Sequence, residues 1–143
     1  MVCRELPLFP LRPESFMPPK ILTVDDSKTI RMLLARLFGK YHCEIFEAEN
    51  GSEGLNVAST EKPDLIIIDY NMPVMDGITM LRQLRENEEL KKTPVIMLTG
   101  DTSLEILTSV SLLGLSDCLS KPFSDGQLLA KVSRFLSLES RDS

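Results

Sequence analysis

The segment "DLIIID" at residues 64–69 sets four consecutive apolar side chains between two aspartates. A strand with one wet face alternates apolar and polar residues, whereas an unbroken run this short reads as a strand covered on both faces. "PVIML" (94–98) has the same character, and "KILTV" (20–24), "CEIFEA" (43–48) and the weaker "DCLS" (117–120) complete a set of short runs. Between them, apolar residues recur at helical spacing. Ile30, Leu33, Leu34 and Leu37 fall at i, i+3, i+4 and i+7, with Ser27 as N-cap and Gly39 as stop. Gly54, Leu55 and Ala58 mark a second helix, and Met80, Leu81 and Leu84 a third. A fourth is expected from about Thr102 to Leu113, ending at Gly114. The fifth begins near Ser124 and carries Leu128, Leu129, Val132, Phe135 and Leu136 on one side. Five βα units in series predict an α/β fold, a doubly wound five-stranded parallel sheet with five helices on its two faces.

With 143 residues the chain suffices for one domain with a real core. Residues 1–18, rich in proline, read as a flexible N-terminal extension, 19–138 as the domain and 139–143 as a short polar C-terminal tail. Met17 opens "MPPKILTVDDS" and would serve as a start by itself, so residues 1–16 are expected to be an upstream extension. The leader lacks an uninterrupted apolar segment, and nothing later approaches a membrane-spanning length. A net charge of -5, with no dense run of Lys and Arg, argues against nucleic-acid binding. Cys3, Cys43 and Cys118 are odd in number and far apart. They imply neither a disulfide framework nor a zinc site, and a reducing cytoplasm is the expected location.

In open parallel sheets, ligands gather beyond the carboxyl ends of the strands. Asp25 and Asp26 follow the first predicted strand, Asp69 ends the third, Thr99 follows the fourth and Lys121 the fifth. Taken singly these are weak signals. An Asp-Asp pair also caps helices, and Thr99-Gly100 and Lys121-Pro122 are ordinary turn sequences. Together they bring three carboxylates to one edge, where two unit charges ~4 Å apart repel by about 4 kcal/mol at an effective dielectric of ~20. Lys121 supplies one positive charge, and a divalent cation is the natural supplement. Oxygen ligands without His or Cys favour Mg²⁺. A carboxylate beside Mg²⁺ can attack phosphorus to give an aspartyl phosphate, with Lys121 and the Thr99 hydroxyl around the phosphoryl oxygens. Asp69 is the best nucleophile candidate, because the turn after it, with Pro73 and Gly77, supplies nearby backbone groups such as the Asn71 carbonyl.

"ILTVDDS", "DLIIIDYNMPVMDG", "PVIMLTG" and "DCLSKPF" together resemble the receiver domain of two-component response regulators, of the single-domain, chemotaxis-regulator-like kind, from about Lys20 to Leu138. The resemblance implies a flavodoxin-like fold with strand order 2-1-3-4-5. It also implies phosphorylation of Asp69 by a histidine kinase or histidine phosphotransfer protein, in a Mg²⁺-dependent reaction. Asp26, Asp69 and the Asn71 backbone carbonyl would hold the metal, with Asp25 supporting through water. Thr99 and Lys121 would contact the phosphoryl group, and the Lys121–Pro122 peptide would be cis. Such a protein is an enzyme only in catalysing its own phosphorylation and dephosphorylation. It would signal through phosphorylation-dependent protein binding, with the fourth helix, fifth strand and fifth helix as output face.

Two positions depart from the family pattern. Cys118 stands where an inward-turning Tyr or Phe is usual, so an aromatic flip cannot report phosphorylation here. The thiol itself reads as a small buried hydrophobe rather than a redox sensor. Gly100 replaces the usual alanine, preserving access and loosening the loop. Asn71 and Asp101 are expected to flank the path of attacking water and tune phosphoryl lifetime. His42 reads as a surface residue. The predicted helix with Leu104, Ile106, Leu107, Val110, Leu112 and Leu113 is more apolar than one buried stripe needs, so its remainder is a candidate partner or homodimer surface. A relay intermediate passing phosphate to a histidine phosphotransfer protein is the alternative function. An Asp-nucleophile phosphatase is disfavoured, since such enzymes resembling the haloacid-dehalogenase family carry an acid where Asn71 stands. A nucleotide-binding role is disfavoured too, because "DDSKT" lacks phosphate-cradling glycines.

Overall fold

The computed structural model describes residues 17–100 and 111–141. Five strands, β1 (Lys20–Val24), β2 (Glu44–Ala48), β3 (Leu65–Asp69), β4 (Val95–Thr99) and β5 (Asp117–Ser120), form one parallel sheet in the order β2-β1-β3-β4-β5. The described helices are α1 (Lys28–Phe38), α2 (Gly51–Glu61), α3 (Gly77–Glu86) and α4 (Asp125–Val132). The expected helix between β4 and β5 falls mostly outside the described residues. Of it, Leu112 is exposed and Leu113 packs on the core.

Every residue of β3 and β4 is buried, as their unbroken apolar runs demand. Alternate residues feed two cores. Leu22, Val24, Ile66, Ile68, Val95 and Met97 meet α2 and α3 on one face. Ile21, Leu65, Ile67, Ile96, Leu98 and Leu119 meet α1 and α4 on the other. Full burial of each Ile or Leu contributes about 1.5–3 kcal/mol, and most of the driving force lies in these central strands.

Helix starts follow side-chain chemistry. Ser27, Asn50, Asp76 and Ser124 each accept a backbone N–H of the first turn, and Ser124 forms a reciprocal capping box with Gln127. The α1 stripe differs from the expectation: Leu34, Leu37 and Phe38 are buried, but Leu33 is 51% exposed. Arg31 takes an inward position instead. The last helix closes at Val132, so Phe135 and Leu136 reach the core from the turn beyond it. His42 is half-buried, and its N–H donates to the Glu139 carbonyl at 2.8 Å. Tyr41 and Ser140 form an antiparallel bridge, and the Arg141 N–H donates to the Lys40 carbonyl, so residues 139–141 lie against the segment leading into β2.

Arg85 organises the amino edge of the sheet. From α3 its guanidinium donates to the carbonyls of Leu90, Lys91, Thr93 and Gly114, tying together the two loops that enter β4 and β5. Gly114 permits this with a left-handed φ of 81° and no Cβ, which would stand 3.3 Å from Arg85 Nε. Arg85→Met should leave these carbonyls without a charged donor. A loss of about 2–3 kcal/mol in urea unfolding is expected, against less than about 0.5 kcal/mol for the exposed neighbour Arg82→Met.

Candidate functional site

A parallel sheet delivers whatever follows its strands to a single edge, and here it delivers acids and one lysine. Asp25 and Asp26 leave β1, Asp69 closes β3, Thr99 closes β4, and Lys121 follows β5. Asp25, Asp69 and Thr99 are buried, Asp26 is exposed and Lys121 is half-buried. Carboxylate oxygens of Asp25, Asp26 and Asp69 all lie within 4.8 Å of one another. Lys121 Nζ donates to Asp69 Oδ1 at 2.8 Å and stands 3.8 Å from Asp25 Oδ2. The Lys121–Pro122 peptide is cis.

Asp25 is held tightly. Its N–H donates to the Ala48 carbonyl, its carbonyl accepts from Arg31, and Oδ1 accepts the Ser27 N–H at 2.9 Å. Oδ2 is buried and, among the described residues, has no hydrogen-bond partner. Burial pushes the Asp25 carboxyl above its ordinary value; the Ser27 N–H and Lys121 oppose the shift, while Asp69 and Asp26 add to it. One ammonium among three carboxylates leaves negative charge uncompensated. The unpartnered Oδ2, the all-oxygen donors and an exposed approach past Asp26 fit a hard divalent cation such as Mg²⁺, which keeps several of its waters.

The turn after Asp69 is shaped by close backbone packing. A Cβ on Gly77 would stand 2.6 Å from the Asp69 carbonyl oxygen, so only glycine lets α3 start this near the end of β3. The Gly77 N–H donates to the Tyr70 carbonyl. Val74 sits at φ 69° inside a tight turn closed by the Met75 N–H on the Pro73 carbonyl at 2.7 Å. A β-branched residue there is strained. Met75 then accepts the Gly51 N–H, and a Cβ on Gly51 would collide with it. Asn71 is exposed at the head of this turn.

Other expected positions fall as follows. Gly100 is exposed, with open space where a Cβ would go. Asp101 lies outside the described residues. Cys118 is half-buried against the α2–α3 core, and burial with Asp117 alongside pushes its thiol up, against the pull of Lys131. A thiol so shifted is a poor nucleophile at neutral pH, in keeping with a packing role. Sequence reading missed Arg31, Gly51 and Val74. Only Gly51, just after Asn50 and before a helical pattern, carried a local signal.

Three acids and a lysine at the carboxyl edge of an open α/β sheet make a site suited to a cation and a phosphoryl group. A family model for the response regulator receiver domain matches residues 21–133, and the chain belongs to that family. Phosphorylation on aspartate and Mg²⁺ binding are general features of this family in two-component signalling. The chain is 35% identical over 124 residues to sporulation initiation phosphotransferase F of Bacillus subtilis, covering 87% of this chain and 98% of that protein. It is 37% identical over 121 residues to the B. subtilis alkaline phosphatase synthesis regulator PhoP, covering 84% of this chain but 49% of that one. The structure of Vibrio cholerae chemotaxis protein CheY4 superposes with a TM-score of 0.79 at 36% identity, covering 83% of this chain and 99% of that one. Among the described residues no helix is long and apolar enough to cross a membrane.

Because Asp25 has a raised folded-state pKa, its ionisation opposes folding. The contribution of Asp25 to metal-free stability should therefore fall as pH rises from the ordinary carboxylate value of 3.8 through the higher folded value. Asp25→Asn keeps an oxygen for the Ser27 N–H and removes the buried charge. In EDTA at neutral pH it should be about 1 kcal/mol more stable than wild type in thermal melts, with the acid-side slope reduced.

Proposed function

We propose that Asp69 is the phosphoacceptor of a Mg²⁺-dependent switch that signals by binding another protein. The observation carrying this reading is the Lys121–Asp69 contact at 2.8 Å, inside a cluster whose other buried carboxylate, Asp25, keeps an oxygen with no hydrogen bond among the described residues. An Asp69 oxygen attacks the phosphorus of a phosphohistidine, the P–N bond breaks, and the leaving imidazole takes up a proton. Lys121 moves from Asp69 Oδ1 onto a phosphoryl oxygen, and the Thr99 hydroxyl donates to another. When bound, Mg²⁺ would neutralise charge on the transferring group, held by Asp26, Asp69 and the Asn71 carbonyl with Asp25 behind them. Asn71 and Asp101 would set the access of hydrolytic water, and hence the phosphoryl lifetime.

Output does not need an aromatic at position 118. The Lys121 N–H donates to the Thr99 carbonyl at 2.8 Å and Thr99 pairs with Ser120, so a pull on Thr99 reaches β5 through backbone bonds. The output face comprises β5, α4 and the helix expected between β4 and β5, and Pro122 fixes the turn after Lys121. A second copy of the chain or a separate target is the partner of that face. The location is the cytoplasm, consistent with free thiols at Cys43 and Cys118.

Relay to a histidine phosphotransfer protein is the second reading. It is favoured by an apolar groove of about 460 Å³ beside the site, where Ile30, Leu33 and Leu34 of α1 face Pro122 and Phe123 next to Lys121. A phosphodonor or acceptor helix seated there would present its histidine to Asp69.

Incubation with acetyl phosphate and Mg²⁺ should add one phosphoryl group to wild type and none to Asp69→Asn, read by intact mass. Equal uptake, or none by wild type, refutes the mechanism. Leu33→Asp should leave acetyl phosphate labelling unchanged while slowing transfer to or from a histidine phosphotransfer protein about tenfold.

A further inference from the structure

Arg31 is a buried guanidinium whose partners do not explain its burial. Its side chain is 9% exposed, yet its ion-pair partners Glu47 and Glu49 are 44% and 68% exposed. Pairs to exposed carboxylates contribute little stability, and an apolar residue would fill an inward position on α1 at lower desolvation cost. What an apolar residue could not supply is the bond from Nη1 to the Asp25 carbonyl at 2.6 Å.

That bond completes a clamp on one peptide. The Asp25 N–H is fixed by Ala48 at the end of β2, its carbonyl by Arg31 and its Oδ1 by the Ser27 N–H. The remaining Oδ2 is thereby set among the carboxylates, with no hydrogen bond among the described residues and the Lys121 ammonium 3.8 Å away, and the chain turns so that Asp26 follows at the open side. Arg31 is itself restrained. Glu47 Oε1 takes Nε at 3.1 Å and Glu49 Oε1 lies 3.7 Å from Nη2, on the side of β2. Its ion pairs are with these two residues, and none is with Asp25, Asp26 or Asp69. A cationic side chain thus sits beside an acidic cluster without filling the place of the cation.

We propose that Arg31 is a positioning residue for the divalent-cation site: it locks the Asp25–Asp26 corner in ligating geometry, while Glu47 and Glu49 hold its charge off the cluster. This rests on the reading of that cluster as a Mg²⁺ site.

Mg²⁺ titration of the full chain by isothermal calorimetry tests it, with wild type compared to Arg31→Lys, Arg31→Met and Arg31→Ala, and melts recorded in EDTA. Kd should rise about tenfold or more in the Met and Ala variants and less in Arg31→Lys, whose ammonium still offers a donor to the Asp25 carbonyl. A merely structural role would lower the melting temperature and leave Kd within twofold of wild type at a temperature where each variant is folded; that result overturns the proposal. Arg31→Met preserves the buried stem and carries the comparison if Arg31→Ala does not fold. Absence of Mg²⁺ binding by wild type would overturn the reading of the cluster together with this inference.

Discussion

Like-charge crowding at the carboxyl edge of the sheet is the constraint on which the other features depend. Asp25 and Asp69 are buried side by side, Asp26 stands next to them, and among the described residues Lys121 alone pairs a cationic side chain with the two. Such an arrangement raises the free energy of the folded protein and is tolerated only because the rest of the chain is firmly built. The two cores, the capped helices and the Arg85 contacts supply that support. The same unfavourable electrostatics suit the site to a divalent cation, whose charge would relieve a repulsion that folding imposed.

The central strands and the acids at their ends were legible in the sequence for one reason. Strands covered on both faces lose alternation, so "LIII" and "VIML" announce both the parallel sheet and its carboxyl edge. The chemistry expected of the site rests on which residues come next in the chain, and of these Asp25, Asp26, Asp69 and Lys121 do converge, while Thr99 closes the neighbouring strand. Family resemblance added the strand order and the cis Lys121–Pro122 peptide, which periodicity cannot supply.

What escaped the sequence reading depends on neighbours distant in the chain. Leu33 fits the helical stripe by spacing, yet it faces the groove beside Lys121 and is half exposed. Arg31 reads as an outward polar residue, but its bond to the Asp25 carbonyl draws it inward, with Glu47 of β2 restraining it from the side. Val74 has no residue-type signal for a left-handed conformation; the positions of Met75 and Gly51 impose it. Phe135 and Leu136 share the periodicity of α4 although the helix has already ended, because an apolar side chain reaches the same core from a turn.

The pairing of residues 139–141 with Lys40, Tyr41 and His42 sets the direction of the whole domain. Those residues precede β2, and β1 begins at Lys20, so the chain enters and leaves the described domain at the amino edge of the sheet. The acids occupy the opposite edge, about 16 Å away along strands of five residues. Lys20 and residues 139–141 are therefore remote from the acids, and a helix can approach Asp69 without meeting them. A probe attached at Arg141 would lie at the edge of the sheet away from Asp69.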